Sequence, residues 1–323
     1  MPANLTPQYL EAERRFREAT TVDAQLAALD EMMATIPKHK GTERMRADIR
    51  RRMAKLRTDA ARKKSVGAGG PTWQHVPREG AGQIALVGPP NAGKSRLLAA
   101  LSNAAPVVAP YPFATRMPLP GMVDFENVKI QLVDLPPIAP ETAEPWLFAL
   151  IRQADAALLV ADLESDDLLS SMEDTLDLAG RSNLRLVRSA PDGGVPTLLV
   201  AAKADVPGAA ERLEILREVF AGRFPILAVS GEAGTNLDTL RKEMFQLLNV
   251  IRVYTKAPGR RADRATPFVL KRGATVQDAA RAVHKDFAER LKYARIWGSR
   301  AFEGQMVQRE HVLEDGDILE LHA

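Results

Sequence analysis

Residues 84–95 read Ile84-Ala85-Leu86-Val87-Gly88-Pro89-Pro90-Asn91-Ala92-Gly93-Lys94-Ser95, and Arg96-Leu97-Leu98-Ala99-Ala100-Leu101 follows. An apolar run enters a glycine-bounded loop, and a leucine- and alanine-rich segment leaves it. The pattern is strand, loop, helix. Gly88 and Gly93 let backbone N–H groups turn inward on a polyphosphate. Lys94 would reach the β- and γ-phosphates, and the Ser95 hydroxyl would stand on Mg²⁺. The helix N-terminus adds partial positive charge. The competing reading is a plain glycine-rich turn in an α/β domain.

Further apolar runs extend the pattern downstream. Residues 128–134, 156–160, 197–201 and 225–230 read as strands, with helical stretches between them. That alternation predicts an α/β fold with a mostly parallel sheet covered on both faces, whose nucleotide site lies at the carboxyl ends of the strands.

Before this region, residues 7–64 read as helical. Val22, Leu26, Leu29 and Met33 fall at helical spacing behind possible caps at Thr20 and Thr21. Residues 37–42 break the pattern. A second stripe of Met45, Ile49, Met53 and Leu56 follows, with Arg44, Arg46, Arg50, Arg51, Arg52, Lys55 and Arg57 on its other faces. The expectation is a hairpin of two antiparallel helices, then a flexible linker at 65–71. After Val250 the pattern changes again. Residues 251–255, 267–270, 294–297 and 317–321 alternate as short strands. Thr275 with Asp278 fits a helix cap, and Ala280, Val283, Phe287 and Leu291 form one apolar face. This is a small α+β unit.

Charge is unevenly placed. Residues 1–65 carry 15 basic and 9 acidic side chains, residues 66–250 carry 15 and 22, and residues 251–323 carry 14 and 10. Basic ends around an acidic middle point to a nucleic-acid partner held by the ends, although solvated helix faces give the same counts. The chain has no cysteine, which excludes disulfides and thiolate catalysis. Its five histidines show no ligand spacing. The start lacks a signal-peptide pattern, and no apolar run approaches the ~20 residues that span a bilayer. The expectation is a cytoplasmic protein with no membrane partner.

Three strand-ending segments add chemistry to the phosphate loop. Ala202-Lys203-Ala204-Asp205 resembles the guanine-reading Asn-Lys-x-Asp element of GTPases. In that element the carboxylate accepts two hydrogen bonds from the guanine edge and the lysine stem covers the ring. Ser230-Gly231-Glu232 resembles the last base-contacting loop, normally Ser-Ala-Lys. Asp134-Leu135-Pro136-Pro137 resembles the Asp-x-x-Gly element, in which Asp134 would hold Mg²⁺ through water. Tyr111-Pro112-Phe113-Ala114-Thr115-Arg116 resembles a first switch, whose Thr115 would close on Mg²⁺ and the γ-phosphate; a plain proline-rich loop is the alternative.

Together these residues resemble the Obg group of GTPases, and within it the developmentally regulated GTP-binding (DRG) branch. Residues 37–43 with the following basic helix look like that branch's N-terminal region. Residues 251–323, with His284-Lys285-Asp286, Trp297-Gly298-Ser299 and 311–317, look like a TGS domain, a ubiquitin-like β-grasp module. The resemblance implies an N-terminal basic helical hairpin over 1–65, a P-loop GTPase domain over 66–250 and a TGS domain over 251–323. It implies Lys94, Thr115 and Asp134 as catalytic residues, with Ser95, Thr115 and Asp134 at the metal. It implies nucleotide contacts from Gly88, Asn91, Ala92, Gly93, Lys94, Ser95, Arg96, Lys203, Asp205, Ser230 and Gly231. GTP or GDP and Mg²⁺ are the implied cofactors, and a ribosome or RNA is the implied partner of the basic helices and the TGS domain.

The chain also departs from the family. Only 65 residues separate Pro137 from Lys203, which leaves little room for the insert of the eukaryotic-type members. The glycine of Asp-x-x-Gly is Pro137, which has no N–H to give the γ-phosphate. A hydrogen bond to a charged group is worth about 1.5–3 kcal/mol, so weaker distinction between GTP and GDP and a stiffer second switch are expected. Ala202 stands where the guanine element has asparagine, and Gly231-Glu232 replaces Ala-Lys. Ile138 occupies a position where many small GTPases carry a water-orienting glutamine. Asn91 matches an asparagine that some of these GTPases use to hold K⁺, which would stabilise developing charge much as an arginine finger does; Asn91 as a turn residue is the alternative. The expected function is a slow GTPase switch on ribosome or RNA. The alternatives are a non-hydrolysing nucleotide-bound adaptor, with Pro137 freezing the switch, and an ATPase, since Ala202 weakens the guanine element.

Overall fold

A computed structural model describes residues 7–18, 22–36, 46, 49, 51–53, 76–102, 117–140, 143–189, 193–298 and 303–322. The chain divides into two compact units, Met1–Thr72 and Trp73–Ala323.

In the first unit, helices α1 (Pro7–Glu18) and α2 (Val22–Thr35) pack around Tyr9, Ala12, Leu29, Met32 and Ile36. Arg15 of α1 pairs with Glu31 of α2 at 3.1 Å. The buried face of α2 is Ala28, Leu29 and Met32, followed by Ile36, while Leu26 and Met33 are partly exposed. Leu29 is common to the expected and the observed face, while Ala28, Met32 and Ile36 are buried in place of Leu26 and Met33 because α2 packs on α1. Ile49 and Met53 join the same cluster. Thr20, Thr21, residues 37–42, Met45 and Leu56 lie outside the described residues.

The second unit opens on strand β1 (Gln83–Val87), wholly buried. It lies between β3 (Val128–Asp134) and β4 (Ala156–Asp162), parallel to both. A strand flanked on both edges and covered on both faces reads as one continuous apolar run. Ile84 and Leu86 face helices α3 (Lys94–Leu101) and α7 (Leu237–Leu247); Ala85 and Val87 face α4 (Pro145–Gln153), α5 (Leu168–Arg181) and α6 (Ala209–Phe220). The sheet continues from β4 through β6 (Val195–Ala202), which pairs in parallel with β5 (Leu186–Val187) at its start and β7 (Ile226–Ala228) at its end. The other edge is β2 (Leu119–Phe125), antiparallel to β3. The sequence reading had no strand there: Pro120 and Gly121 disfavour one, and only pairing with β3 supplies the backbone partners.

A second sheet follows in the order β11-β10-β12-β8-β9. Its strands are β8 (Val250–Thr255), β9 (Phe268–Lys271), β10 (Tyr293–Trp297), β11 (Gln305–Val307) and β12 (Ile318–His322). Only β8 and β12 run parallel. Helix α8 (Val276–Val283) begins with a reciprocal cap. The Asp278 carboxylate accepts from the Thr275 amide at 2.9 Å, and the Thr275 hydroxyl accepts from the Asp278 amide at 3.4 Å. The expected continuous face from Ala280 to Leu291 is interrupted, because His284 is extended (φ −168°, ψ 144°) and a short helix, α9 (Lys285–Arg290), restarts behind it. Ala280 and Leu291 both remain buried.

The turn between β2 and β3 touches the second sheet. Asn127 Nδ2 donates to Tyr254 Oη at 2.7 Å and to the Arg264 carbonyl at 3.0 Å. Arg252 grips Asp315 at 2.7 Å, pairs with Glu126 and lies over the Phe245 ring at 5.0 Å. Its side chain is 14% exposed, against 31% for Asp315 and 59% for Glu126, and the backbone amide of residue 252 also donates to Asp315 at 2.7 Å, so truncation leaves Asp315 with that amide and Glu126 with water. Arg252→Ala is expected to cost about 1.5 kcal/mol in urea unfolding, the low end for a hydrogen bond to a charged group because solvent screens both carboxylates. A change within the scatter of ordinary surface substitutions would show that the contact contributes nothing.

Candidate functional site

The phosphate loop owes its course to two glycines. A Cβ on Gly88 would lie 2.5 Å from the Val160 carbonyl oxygen, so the loop can leave β1 against β4 only with glycine there. Gly93 has φ +89°, in the left-handed region, immediately before α3. Between them Asn91 is exposed with φ 60°, and Ala92 is fully buried in the core.

Lys94, the first residue of α3, is 6% exposed. Its Nζ donates to the Pro89 carbonyl at 2.7 Å and the Gly88 carbonyl at 3.2 Å. Burial lowers its pKa to about 8, and the charge of Asp134 partly opposes that shift. The Ser95 hydroxyl donates to Asp134 Oδ2 at 2.5 Å, and Asp134, closing β3, is fully buried. A buried cation, a carboxylate and a hydroxyl thus meet at one loop. The carboxylate and hydroxyl are hard oxygen donors of the kind Mg²⁺ takes alongside substrate phosphates.

After Asp134 the chain turns inward. Leu135, Pro136, Pro137, Ile138 and Ala139 are all buried. The Ile138 amide, the next N–H after proline, donates to the Gly88 carbonyl at 3.1 Å. Its side chain lies in the core with Leu147 and Phe148. Residues 111–116, including Thr115, lie outside the described residues.

The base-side residues cluster at the same end of the sheet. A cavity of about 290 Å³ is lined by Gly93 and Arg96 on one side and by Lys203, Asp205 and Gly231 on the other. Asp205 is exposed and makes no hydrogen bond or ion pair among the described residues, and neither does the Gly231 amide. Lys203 has φ 60°, and its Nζ contacts Asp162 at 2.7 Å and Glu164 at 2.9 Å. Burial disfavours its charge, but hydrogen bonds to the two carboxylates outweigh that and hold it above its usual range. Ser230 is fully buried; its Oγ accepts from the Ala233 amide at 2.8 Å and the Glu232 amide at 3.2 Å. Arg96 and Glu232 form an ion pair at 3.0 Å.

Apart from Thr115, the structure therefore brings the expected residues together. Sequence reasoning missed Asp162 and Glu164 as anchors of Lys203, and Glu232 as the partner of Arg96. Asp162 carried a signal, being an acid that ends an apolar strand just as Asp134 does.

Residues 83–188 match the family described as 50S ribosome-binding GTPase, and residues 251–323 match the TGS domain. Among curated proteins, a GTP-binding protein of Methanocaldococcus jannaschii is 29% identical over 367 aligned positions, covering 92% of this chain and 92% of its own length. A GTP-binding protein of Halobacterium salinarum is 28% identical, covering 94% and 99%. Developmentally-regulated GTP-binding protein 1 of Xenopus laevis is 27% identical over 365 positions, covering 92% and 98%. These alignments are longer than the 323 residues of this chain, so the relatives carry residues that have no counterpart here.

Proposed function

Because the chain is a member of the developmentally regulated branch of the Obg-type GTP-binding proteins, joining a GTPase domain to a TGS domain, we propose that it binds GTP and GDP and hydrolyses GTP slowly as a cytoplasmic switch on a ribosome or its RNA. The observation that carries this reading is the single cavity joining the phosphate loop to Asp205 and Gly231. Guanine offers N–H donors on the edge that Asp205 would meet and a carbonyl acceptor at O6; a carboxylate and a backbone amide complement that edge. Adenine's exocyclic amine would meet the amide donor instead.

Lys94 would counter the β- and γ-phosphate charge, and Ser95, Asp134 and Thr115 would hold Mg²⁺. Mg²⁺ at that position neutralises charge developing on the phosphates. The base would lie between Lys203, Asp205, Ser230 and Gly231. With segments at 1–65, 66–250 and 251–323, this chemistry would belong to the middle one. The basic end segments would meet RNA phosphates. Among the described residues no helix is long and apolar enough to cross a membrane.

Slow turnover follows from the second switch. Pro137 cannot donate, and the Ile138 amide already donates to Gly88. Ile138 faces the core, so it positions no water. The same packing favours the second reading, a nucleotide-bound adaptor that does not hydrolyse. Single-turnover phosphate release from GTP with Mg²⁺ separates the two: slow but measurable release, faster in K⁺ than in Na⁺ buffer, is expected. Equal rates in the two salts would remove Asn91 from a K⁺ role, and no release from bound GTP would leave the adaptor. Co-sedimentation with ribosomal subunits in a slowly hydrolysed GTP analogue tests the partner.

A further inference from the structure

The guanine element of this chain lacks the asparagine amide that ties base loop to phosphate loop in the family it resembles, and the structure contains a different tie. Ala202, at that position, closes β6. Its methyl lies 3.8 Å from where a Cβ on Gly93 would be, so it faces the phosphate loop there without the polar group an asparagine would bring. A few residues away, Arg96 Nη2 contacts Glu232 Oε2 at 3.0 Å. Arg96 belongs to the first turn of the helix that follows the phosphate loop; Glu232 belongs to the loop after β7. Both line the same cavity as Asp205.

Two further contacts fix Glu232 in place. The buried Ser230 hydroxyl accepts from the Glu232 and Ala233 amides, which sets the turn. Gly231 lies flat on α3: a Cβ added there would sit 3.6 Å from Arg96 Cγ and from Ala100 Cβ. The residue that replaces the family's lysine is therefore held directly opposite a cation on the phosphate side. A lysine at 232 would face Arg96 with like charge.

We propose that Arg96 and Glu232 are a positioning pair, an ionic latch that holds the base-side loop against the phosphate-loop helix and so slows release of the bound nucleotide. The proposal rests on the reading of the site as a guanine-nucleotide pocket. The latch spans the cavity from phosphate side to base side, so opening it loosens the Ser230–Gly231 wall without touching Lys94, Ser95 or Asp205. Both partners are exposed, Arg96 by 49% and Glu232 by 74%, so the pair is a modest contact sensitive to salt.

The test is the dissociation rate of fluorescently labelled GDP from the full chain by stopped flow. Glu232→Gln and Arg96→Gln are each expected to speed release about threefold, the upper range for an exposed ion pair. The double variant should match the singles, and the swap Arg96→Glu with Glu232→Arg should return release close to the wild-type rate. At about 1 M salt, where screening reaches about 3 Å, wild type and variants should converge. Wild-type rates in both single variants, or additive losses that the swap does not rescue, would overturn the latch while leaving nucleotide binding intact. A wild-type chain that takes up no GDP at all would instead overturn the nucleotide reading itself.

Discussion

Replacing Lys94 with alanine is expected to weaken GTP and GDP binding by roughly 10- to 150-fold while leaving the fold in place. Lys94 has three donor hydrogens, two of which are engaged by the Gly88 and Pro89 carbonyls. It is almost fully buried, and burial has lowered its pKa to about 8. A buried cation of this kind costs stability in isolation and recovers it only against an anion. The remaining hydrogen gives phosphate one charge-assisted hydrogen bond, and about 1.5–3 kcal/mol corresponds to a loss of roughly 10- to 150-fold in affinity. Calorimetry with GDP and Mg²⁺ reads that loss, and an unfolding transition at or above that of the wild type shows that it is not a folding defect. Binding by Lys94→Ala at wild-type strength would remove the phosphate-loop reading.

The same residue sets a pH dependence whose sign follows from its lowered pKa. Below about pH 8 Lys94 is protonated in both folded and unfolded chains, and the cost of burying its charge is complete. Between there and its usual value of 10.5 the folded protein has released a proton that the unfolded chain retains, so this contribution to stability rises with pH. Nucleotide affinity moves the other way, because phosphate favours the protonated amine. Affinity should hold below about pH 8 and then fall by up to about tenfold per pH unit. A flat profile across that window would mean that Lys94 does not face the anion.

Asp205→Asn is expected to weaken GTP binding by roughly a hundredfold, equivalent to about 3 kcal/mol of lost charge-assisted hydrogen bonding. Asp205 is exposed and bonds to no described residue, so the substitution should not alter stability. Its amide also offers a donor in place of an acceptor. A purine with a carbonyl where guanine has its amine should therefore gain on the variant, so xanthosine triphosphate should compete better than GTP. ATP should gain nothing, because the Gly231 amide still opposes its exocyclic amine. Equal GTP preference in wild type and variant would assign base selection elsewhere and revive the ATPase reading.

Contiguous segments were legible in the sequence because they carry their geometry within themselves. The phosphate loop was clear from Gly88, Gly93, Lys94 and Ser95 behind an apolar strand. So were the parallel strands, whose two buried faces demand unbroken apolar runs, and the cap at Thr275. The charge asymmetry and the departures at Pro137, Ala202 and Glu232 needed no coordinates either. Tertiary structure decided what joins groups far apart in the chain. It paired Ser95 with Asp134 and Arg96 with Glu232. It made an edge strand of a segment containing Pro120 and Gly121, broke a helix at His284, and turned Ile138 into the core while its amide took the Gly88 carbonyl. Periodicity and motif spacing report the preferences of neighbouring residues; ion pairs, sheet edges and buried turns depend on which distant surfaces fold against them.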